Sequence, residues 1–345
     1  MDIELIVNTV RDNCSASYQE RVPELNRQNL EQLRYAMTGD GGVPAVNEFI
    51  STLLNGFAKE YLIKKMFTNP LKSLKKGTKP LGDTAVEIYN NFIKGEKYDP
   101  TGAKLLERNL PDVKTLFHRM NYEMQYPITV SRQQISKAFT SFANLEAFIS
   151  NLLQTLYNSA ELDEFMNFKQ IFASAIEKNA VKTIYVPDPL KSEANAKKFI
   201  KAVKTASRLM EFPNSDFNGY LTAQETDTKP IITLSRKSEQ ILLIDAETDI
   251  NVSVDVLANT FNMSVADFNE TRKIVVDVFP VKNMRAALVD EDFFQFFDDL
   301  YEVTTFYNGK GLYQNFYLNV WQTIAFSILV NAVVFMVKDE TAATE

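Results

Sequence analysis

The 345-residue sequence is nearly empty of the residues from which most catalytic and metal centres are built. It holds one cysteine (Cys14), one histidine (His118) and one tryptophan (Trp321). A single cysteine excludes any disulfide within the chain. Structural zinc sites take about four Cys or His ligands and cannot be made from this pair. Any Ser-His-Asp or Cys-His catalysis would have to use His118. Its setting, Leu116-Phe117-His118-Arg119-Met120, gives no sign of that role and reads as a structural histidine. Cations are also in deficit: 37 Lys and Arg stand against 44 Asp and Glu, a net charge of −7. That argues against a dedicated nucleic-acid binder, whose affinity comes mainly from Lys and Arg neutralising phosphates, and suits a surface that lies near DNA without adhering to it.

Addresses are missing too. Met1-Asp2-Ile3-Glu4 lacks the charged-then-apolar layout of a signal peptide. The Asn-x-Ser/Thr matches at Asn13, Asn251, Asn262 and Asn269 therefore have no route to glycosylation. The one long uncharged run, Val320 to Val337, is interrupted by Gln322, Thr323, Ser327 and Asn331. Its Val, Ile and aromatic content fits buried strands better than a membrane helix.

What is present is apolar and aromatic: 45% hydrophobic residues, 25 Phe and 14 Tyr. This is enough for a sizeable core, with aromatic mass left for subunit contacts. Residues 1–60 read as a partly helical arm, with Phe49, Ile50, Leu53, Leu54 and Phe57 at helical spacing. Between Tyr61 and Gly82 lie six lysines and no acid, broken by Pro70, Gly77 and Pro80. Lys72, Lys75, Lys76 and Lys79 of this run are candidate contacts between subunits; the plainer reading is a solvated linker.

Residues 83–126 leave and return over a length that compact domains seldom tolerate. A hairpin-like flap packing on something else, such as a neighbouring copy, accounts for this better. Leu145, Phe148, Ile149, Leu152, Leu153 and Leu156 then give a strong helix capped by Ser141 or Asn144, and Ala160–Lys178 continues it, as one broken helix or two. Strands are predicted at 182–186, 240–244, 273–279 and 285–289, and helices at 192–210 and 254–261. A hairpin of 301–307 and 312–321 turns at Asn308-Gly309. The basic stripe Lys197, Lys201, Lys204 and Arg208 reads as a solvated helix face.

The densest acidic cluster is Asp290, Glu291, Asp292, Asp298 and Asp299. Asp290 and Asp292 could serve a metal-dependent enzyme, but no phosphate-cradling motif accompanies them. The better expectation is that Asp290 caps a short helix through Phe297 and the acids face water. No catalytic residue, metal ligand or cofactor is assigned, and the chain reads as a self-associating α+β structural protein.

Ordered blocks sharpen this reading. Asn69-Pro70-Leu71-Lys72-Ser73-Leu74-Lys75-Lys76-Gly77, Pro111-Asp112-Val113-Lys114-Thr115-Leu116-Phe117-His118 and Leu156-Tyr157-Asn158-Ser159-Ala160-Glu161-Leu162-Asp163-Glu164 come first. Leu288-Val289-Asp290-Glu291-Asp292-Phe293-Phe294 and Val320-Trp321-Gln322-Thr323 follow. Together the sequence resembles the major head proteins of phi29-like short-tailed phages over nearly its whole length.

The resemblance implies the tailed-phage (Hong Kong 97-like) major capsid fold. Its parts would be an N-terminal arm and lead-in (1–82), an E-loop (83–126), a peripheral domain (127–186 and 301–338, spine helix about 144–178), an axial domain (187–300) and an acidic tail (339–345). It implies assembly with copies of itself into hexamers and pentamers of a head shell in the host cytoplasm. A scaffolding protein, a portal and non-specifically packaged double-stranded DNA would be the other partners, without a membrane. The immunoglobulin-like module carried by some relatives is not expected within these residues. A cellular encapsulin-like shell protein is the nearest alternative.

Overall fold

The computed structural model describes residues 3–40, 42–57, 67–98, 100–102, 106–223, 229–252 and 272–338. The helix expected at 254–261, the acidic tail, and Lys64 and Lys65 of the basic run lie outside them. The chain divides into two units: residues 1–69, 120–165 and 298–322, and residues 70–119, 166–297 and 323–345.

The first unit opens with helices α1 (Ile3–Asp12), α2 (Ala16–Arg21), α3 (Leu30–Thr38) and α4 (Gly42–Thr52), then a π-helical turn, Leu53–Phe57. In α1, Ile3, Ile6, Val7 and Val10 fall on one side and are buried. Ser15 caps α2 by accepting from the Tyr18 amide. These helices do not project as the expected arm. Val7, Leu33, Phe49 and Ile50 share one core with Leu145, Ile149, Leu152, Phe316 and Leu318. Burying that much apolar surface outweighs the freedom an arm would keep.

A short helix, α5 (Arg132–Ala138), carries a full capping box between Ser131 and Gln134. The long helix α6 (Phe142–Glu177) is single and unbroken over 36 residues. It contains no Pro or Gly, and at the polar Asn158-Ser159 step the Ser159 hydroxyl donates to the Thr155 carbonyl at 2.9 Å, leaving the ladder intact. The unit boundary falls within this helix.

Eleven strands are described: β1 (Gly77–Thr78), β2 (Ala85–Asn90), β3 (Val113–His118), β4 (Tyr122–Ser131), β5 (Lys182–Val186), β6 (Gln240–Asp245), β7 (Arg272–Val276), β8 (Met284–Asp290), β9 (Phe294–Asn308), β10 (Tyr313–Phe326) and β11 (Ala332–Val337). One sheet has the order β1-β9-β10-β4. Here β9 and β10 form the hairpin expected at Asn308-Gly309, and β10 pairs antiparallel with β4 from Tyr313↔Ser131 to Gln322↔Tyr122. Pro127 is tolerated in β4 because that strand lies at the sheet edge.

In the second unit a five-stranded mixed sheet has the order β5-β11-β8-β6-β7. Strands β5 and β11 are parallel, as are β6 and β7, and the remaining neighbours are antiparallel. Helix α7 (Glu193–Met210), capped by Ser192 as the sequence indicates, lays Phe199, Ile200 and Val203 on this sheet. The Phe199 and Phe335 rings meet edge-on at 6.0 Å. A single helical turn and a half, α8 (Ala246–Asn251), follows β6 under an Asp245 cap.

The helix expected from Asp290 to Phe297 does not form. Asp290 ends β8, and β9 begins at Phe294. Phe293, Phe294 and Phe296 are all fully buried, which a short helix exposing one face to water could not achieve. Nor do all the acids face water, since Asp290 and Asp299 are buried.

Candidate assembly surface

Strands β2 and β3 form an isolated antiparallel pair running from Ala85↔His118 to Asn90↔Val113. Alternation puts successive side chains on opposite faces. One face carries Ala85, Glu87, Tyr89, Lys114, Leu116 and His118 and is half-buried. The other carries Val86, Ile88, Val113, Thr115 and Phe117 and is exposed, Ile88 by 66% and Phe117 by 65%. The usual orientation is inverted: the polar face turns inward and the apolar face outward.

Specific hydrogen bonds hold it that way. Tyr89 donates its hydroxyl to the Ile232 carbonyl, and burial pushes its phenol pKa up. Asn91 donates to the Pro230 carbonyl at 3.0 Å and accepts from the Ile232 amide at 3.2 Å. It also donates to Asp112 at 3.0 Å. Lys114 pairs with Asp112 at 2.8 Å and lies over the Tyr220 ring. Hydrogen bonds from Lys114 and Asn91 hold the Asp112 carboxyl below the usual aspartate range. Tyr89 and Leu116 pack on Tyr220, Ile231 and Leu329. Beneath them Asn218 bridges the Ile231 carbonyl and the Thr233 hydroxyl, stiffening the platform.

His118 sits on this inner face with Nε2 3.1 Å from Glu87 Oε2. The direction of this approach does not fit a hydrogen bond. The contact links β2 to β3 on the half-buried face of the hairpin. The other reactive residue, Cys14, is buried beside Thr52, and burial pushes its thiol pKa up.

Beyond the ladder the segment 91–112 exposes Ile93, Tyr98, Leu106 and Leu110. The sequence marked the length of this excursion. It did not reveal which face of the hairpin is turned outward, because alternation alone is symmetric.

The candidate lysines fall just before the hairpin. Lys72 and Lys76 are exposed, and Lys75 and Lys79 are intermediate. The ammonium of Lys76 is committed within the chain, to Asp292 and, at 3.2 Å, to the Glu291 carbonyl. Lys79 Nζ donates to the Asp83 carbonyl at 2.5 Å. On α7, Lys197 pairs with Glu193 at 2.6 Å and Arg208 with Glu211 at 3.1 Å, consistent with a solvated face.

The acidic cluster does not converge. Asp290 accepts from the Ser235 hydroxyl and, at 3.0 Å, from the Asp292 amide, while the Asp292 carboxylate is taken by Lys76. Burial pushes the Asp290 pKa up, against those hydrogen bonds. Gln322 bridges Asp298 at 2.9 Å and Glu164 at 2.8 Å. Among the described residues no group of three His, Cys, Asp or Glu could hold a metal ion, and no helix is long and apolar enough to cross a membrane.

A long unbroken helix, an outward-facing apolar hairpin and two sheets define the tailed-phage, Hong Kong 97-like capsid class. The capsid structure of Staphylococcus phage Andhra shares the fold: TM-score 0.63 at 13% identity, over 81% of this chain and 87% of that one. The sequence narrows the class. The family described as Phi29-like phage major capsid protein matches residues 7–336. The major capsid protein of Bacillus phage PZA is 33% identical over 344 residues, covering 99% of this chain and 74% of the relative. That of Bacillus phage B103 is also 33% identical over 344 residues, covering 98% and 74%. The chain belongs to the Phi29-like phage major capsid protein family, whose members are structural components of the virion head shell. Nothing in these comparisons favours an encapsulin-like compartment.

Proposed function

We propose that copies of this chain assemble as hexamers and pentamers into a closed icosahedral or prolate head shell. It encloses double-stranded DNA and forms in the host cytoplasm with a scaffolding protein and a portal. The hairpin and its exposed tip serve as the E-loop, lying on a neighbouring copy, with α6 as the spine helix and the α7-covered sheet as the axial domain. The observation that carries this reading is the outward apolar face of β2–β3, built of Val86, Ile88, Val113 and Phe117. A contiguous exposed apolar surface marks an interaction site in a soluble chain. Contacts of this kind are individually modest and numerous, which lets one chain fill non-identical shell positions.

The net charge of −7 fits an inner wall that tolerates DNA without binding it tightly. Lys72, Lys75, Lys76 and Lys79 supply positive charge toward a neighbour, with Lys76 also held by Asp292 and Lys79 by the Asp83 carbonyl. The test is expression of the chain alone and with its neighbouring genes, followed by electron microscopy and sedimentation. Closed shells are expected in the second case. Particles absent under every condition would sink the reading.

A further inference from the structure

We infer that Asn308 is a site of spontaneous covalent modification, where the side-chain amide converts to a carboxylate in the folded chain. Asparagine followed by glycine is the pair most open to this chemistry, because glycine has no Cβ to crowd its own main-chain nitrogen. The sequence has three such steps: Asn55-Gly56, Asn218-Gly219 and Asn308-Gly309. The fold protects two and leaves the third reactive.

Asn218 is only 7% exposed, and both ends of its amide are engaged. Its Nδ2 donates to the Ile231 carbonyl at 3.2 Å and the Thr233 hydroxyl at 3.1 Å, while Oδ1 accepts from the Tyr220 amide at 3.2 Å. Gly219 is pressed on the main chain of Ala180, where a Cβ would stand 2.0 Å from the carbonyl oxygen. Neither the rotation that brings nitrogen to carbon nor an attacking water has room there. Asn55 lies in the π-helical turn Leu53–Phe57, and its Oδ1 accepts from the Val303 amide at 3.2 Å. Helical main chain directs its N–H groups along the axis and away from the side chains.

Asn308 stands where β9 turns into β10. It is half-buried, and Gly309 and Lys310 after it are exposed. Its Oδ1 accepts from the main-chain amides of Lys310 at 3.0 Å and Gly311 at 2.9 Å. Two N–H groups aimed at one carbonyl oxygen stabilise the negative charge which that oxygen gains under nucleophilic attack. Nδ2 donates to the Tyr313 hydroxyl at 2.8 Å. That hydroxyl, turned round, can give a proton to the departing nitrogen. A Cβ on Gly309 would meet the Tyr307 ring at 3.6 Å, an ordinary contact, so no tight neighbour shields the attacking nitrogen.

In the step itself, water takes the proton from the Gly309 nitrogen, and that nitrogen bonds to Asn308 Cγ. The Cγ–Nδ2 bond breaks, the proton returns to the leaving nitrogen, and ammonia departs from a five-membered succinimide ring. Water then opens the ring at either carbonyl, leaving aspartate or isoaspartate and one new negative charge. The net change consumes one water and releases ammonium, with no oxidant or cofactor. Isoaspartate lengthens the main chain by one carbon in the turn that sets the β9–β10 register. Conversion therefore records the age of the chain, whether free or assembled.

The test incubates the purified full chain at mildly alkaline pH in heavy-oxygen water and maps its peptides by mass spectrometry. Label is expected to enter the Asn308 peptide at least about tenfold faster than the Asn55 or Asn218 peptides, the factor that about 1.4 kcal/mol of protection gives. In urea the three rates should converge. Equal rates at the three steps in the folded chain, or conversion of Asn308 only after unfolding, would overturn the inference. Gly309→Ala gives a second readout. Gly309 has no left-handed φ, and its surroundings accept a methyl group. The variant should keep its heat stability and slow conversion at Asn308 by at least about tenfold, since the added carbon hinders the attacking geometry. An unchanged rate in a folded variant would likewise overturn it.

Discussion

Val86 and Phe117 stand directly opposite one another across the β2–β3 ladder, and both point away from the body that the hairpin rests on. An apolar cross-strand pair of this kind normally stabilises a sheet from inside a core. Here the inner positions are given to Glu87, Lys114 and His118, and the pair is left to water. In a chain belonging to a shell-protein family, this is the arrangement expected of a surface covered only after assembly.

Replacing both residues with threonine keeps β-propensity while removing the apolar contact. The free chain should keep its stability to within about 0.5 kcal/mol, because neither side chain is buried in it. Sedimentation should show little or no shell formation. Normal particles from Val86→Thr/Phe117→Thr would show that this face is not the interface.

Asn91 fastens the hairpin through Asp112, Pro230 and Ile232. Asn91→Ala should weaken that attachment by about 1–3 kcal/mol, the cost of leaving its partners unmet. Hydrogen exchange should quicken over residues 85–118 while the five-stranded sheet stays protected. An even change across the chain would argue against a local clasp.

The attachment should also loosen in acid. Asp112 is held below its ordinary value of 3.8, first by the Lys114 hydrogen bond and then by that of Asn91. The folded state therefore binds fewer protons at this site than the unfolded one, and stability rises with pH there. Its contribution is complete above 3.8 and is lost as pH falls through the depressed folded value. Proteolysis of the 92–111 segment should accelerate below that pH, and Asp112→Asn should abolish the pH dependence. An identical acid response in the variant would place the cause elsewhere.

Lys72→Glu, Lys75→Glu and Lys79→Glu together should block assembly and leave the chain folded, as judged by circular dichroism and particle yield. Lys76→Glu added to these should also cost stability in the free chain, since it sets like charge against Asp292. Normal shells from the triple variant would remove the lysines from the interface.

The elements were readable wherever periodicity was strong. Helix α7 begins after Ser192 as its capping serine indicates, and Asn308-Gly309 turns the β9–β10 hairpin. Helix α6 was readable in extent but not in continuity, because the polar Asn158-Ser159 step looks like a break until the Ser159 hydroxyl is seen to bond the Thr155 carbonyl. The Asp290 cap was misleading: an aspartate before apolar residues resembles a helix start, yet the three phenylalanines after it bury themselves in a strand and its turn. The outward face of the hairpin lay beyond reach, because it depends on what packs behind it and not on spacing.

The most direct test labels Thr115→Cys, on the outer hairpin face opposite Ile88, with a maleimide in free chains and in purified closed shells. Labelling is expected to be fast in the free chain and at least about tenfold slower in shells, as for a group moved from solvent into a packed contact. Equal rates in the two states would mean that the hairpin face stays in water, contradicting assembly through it.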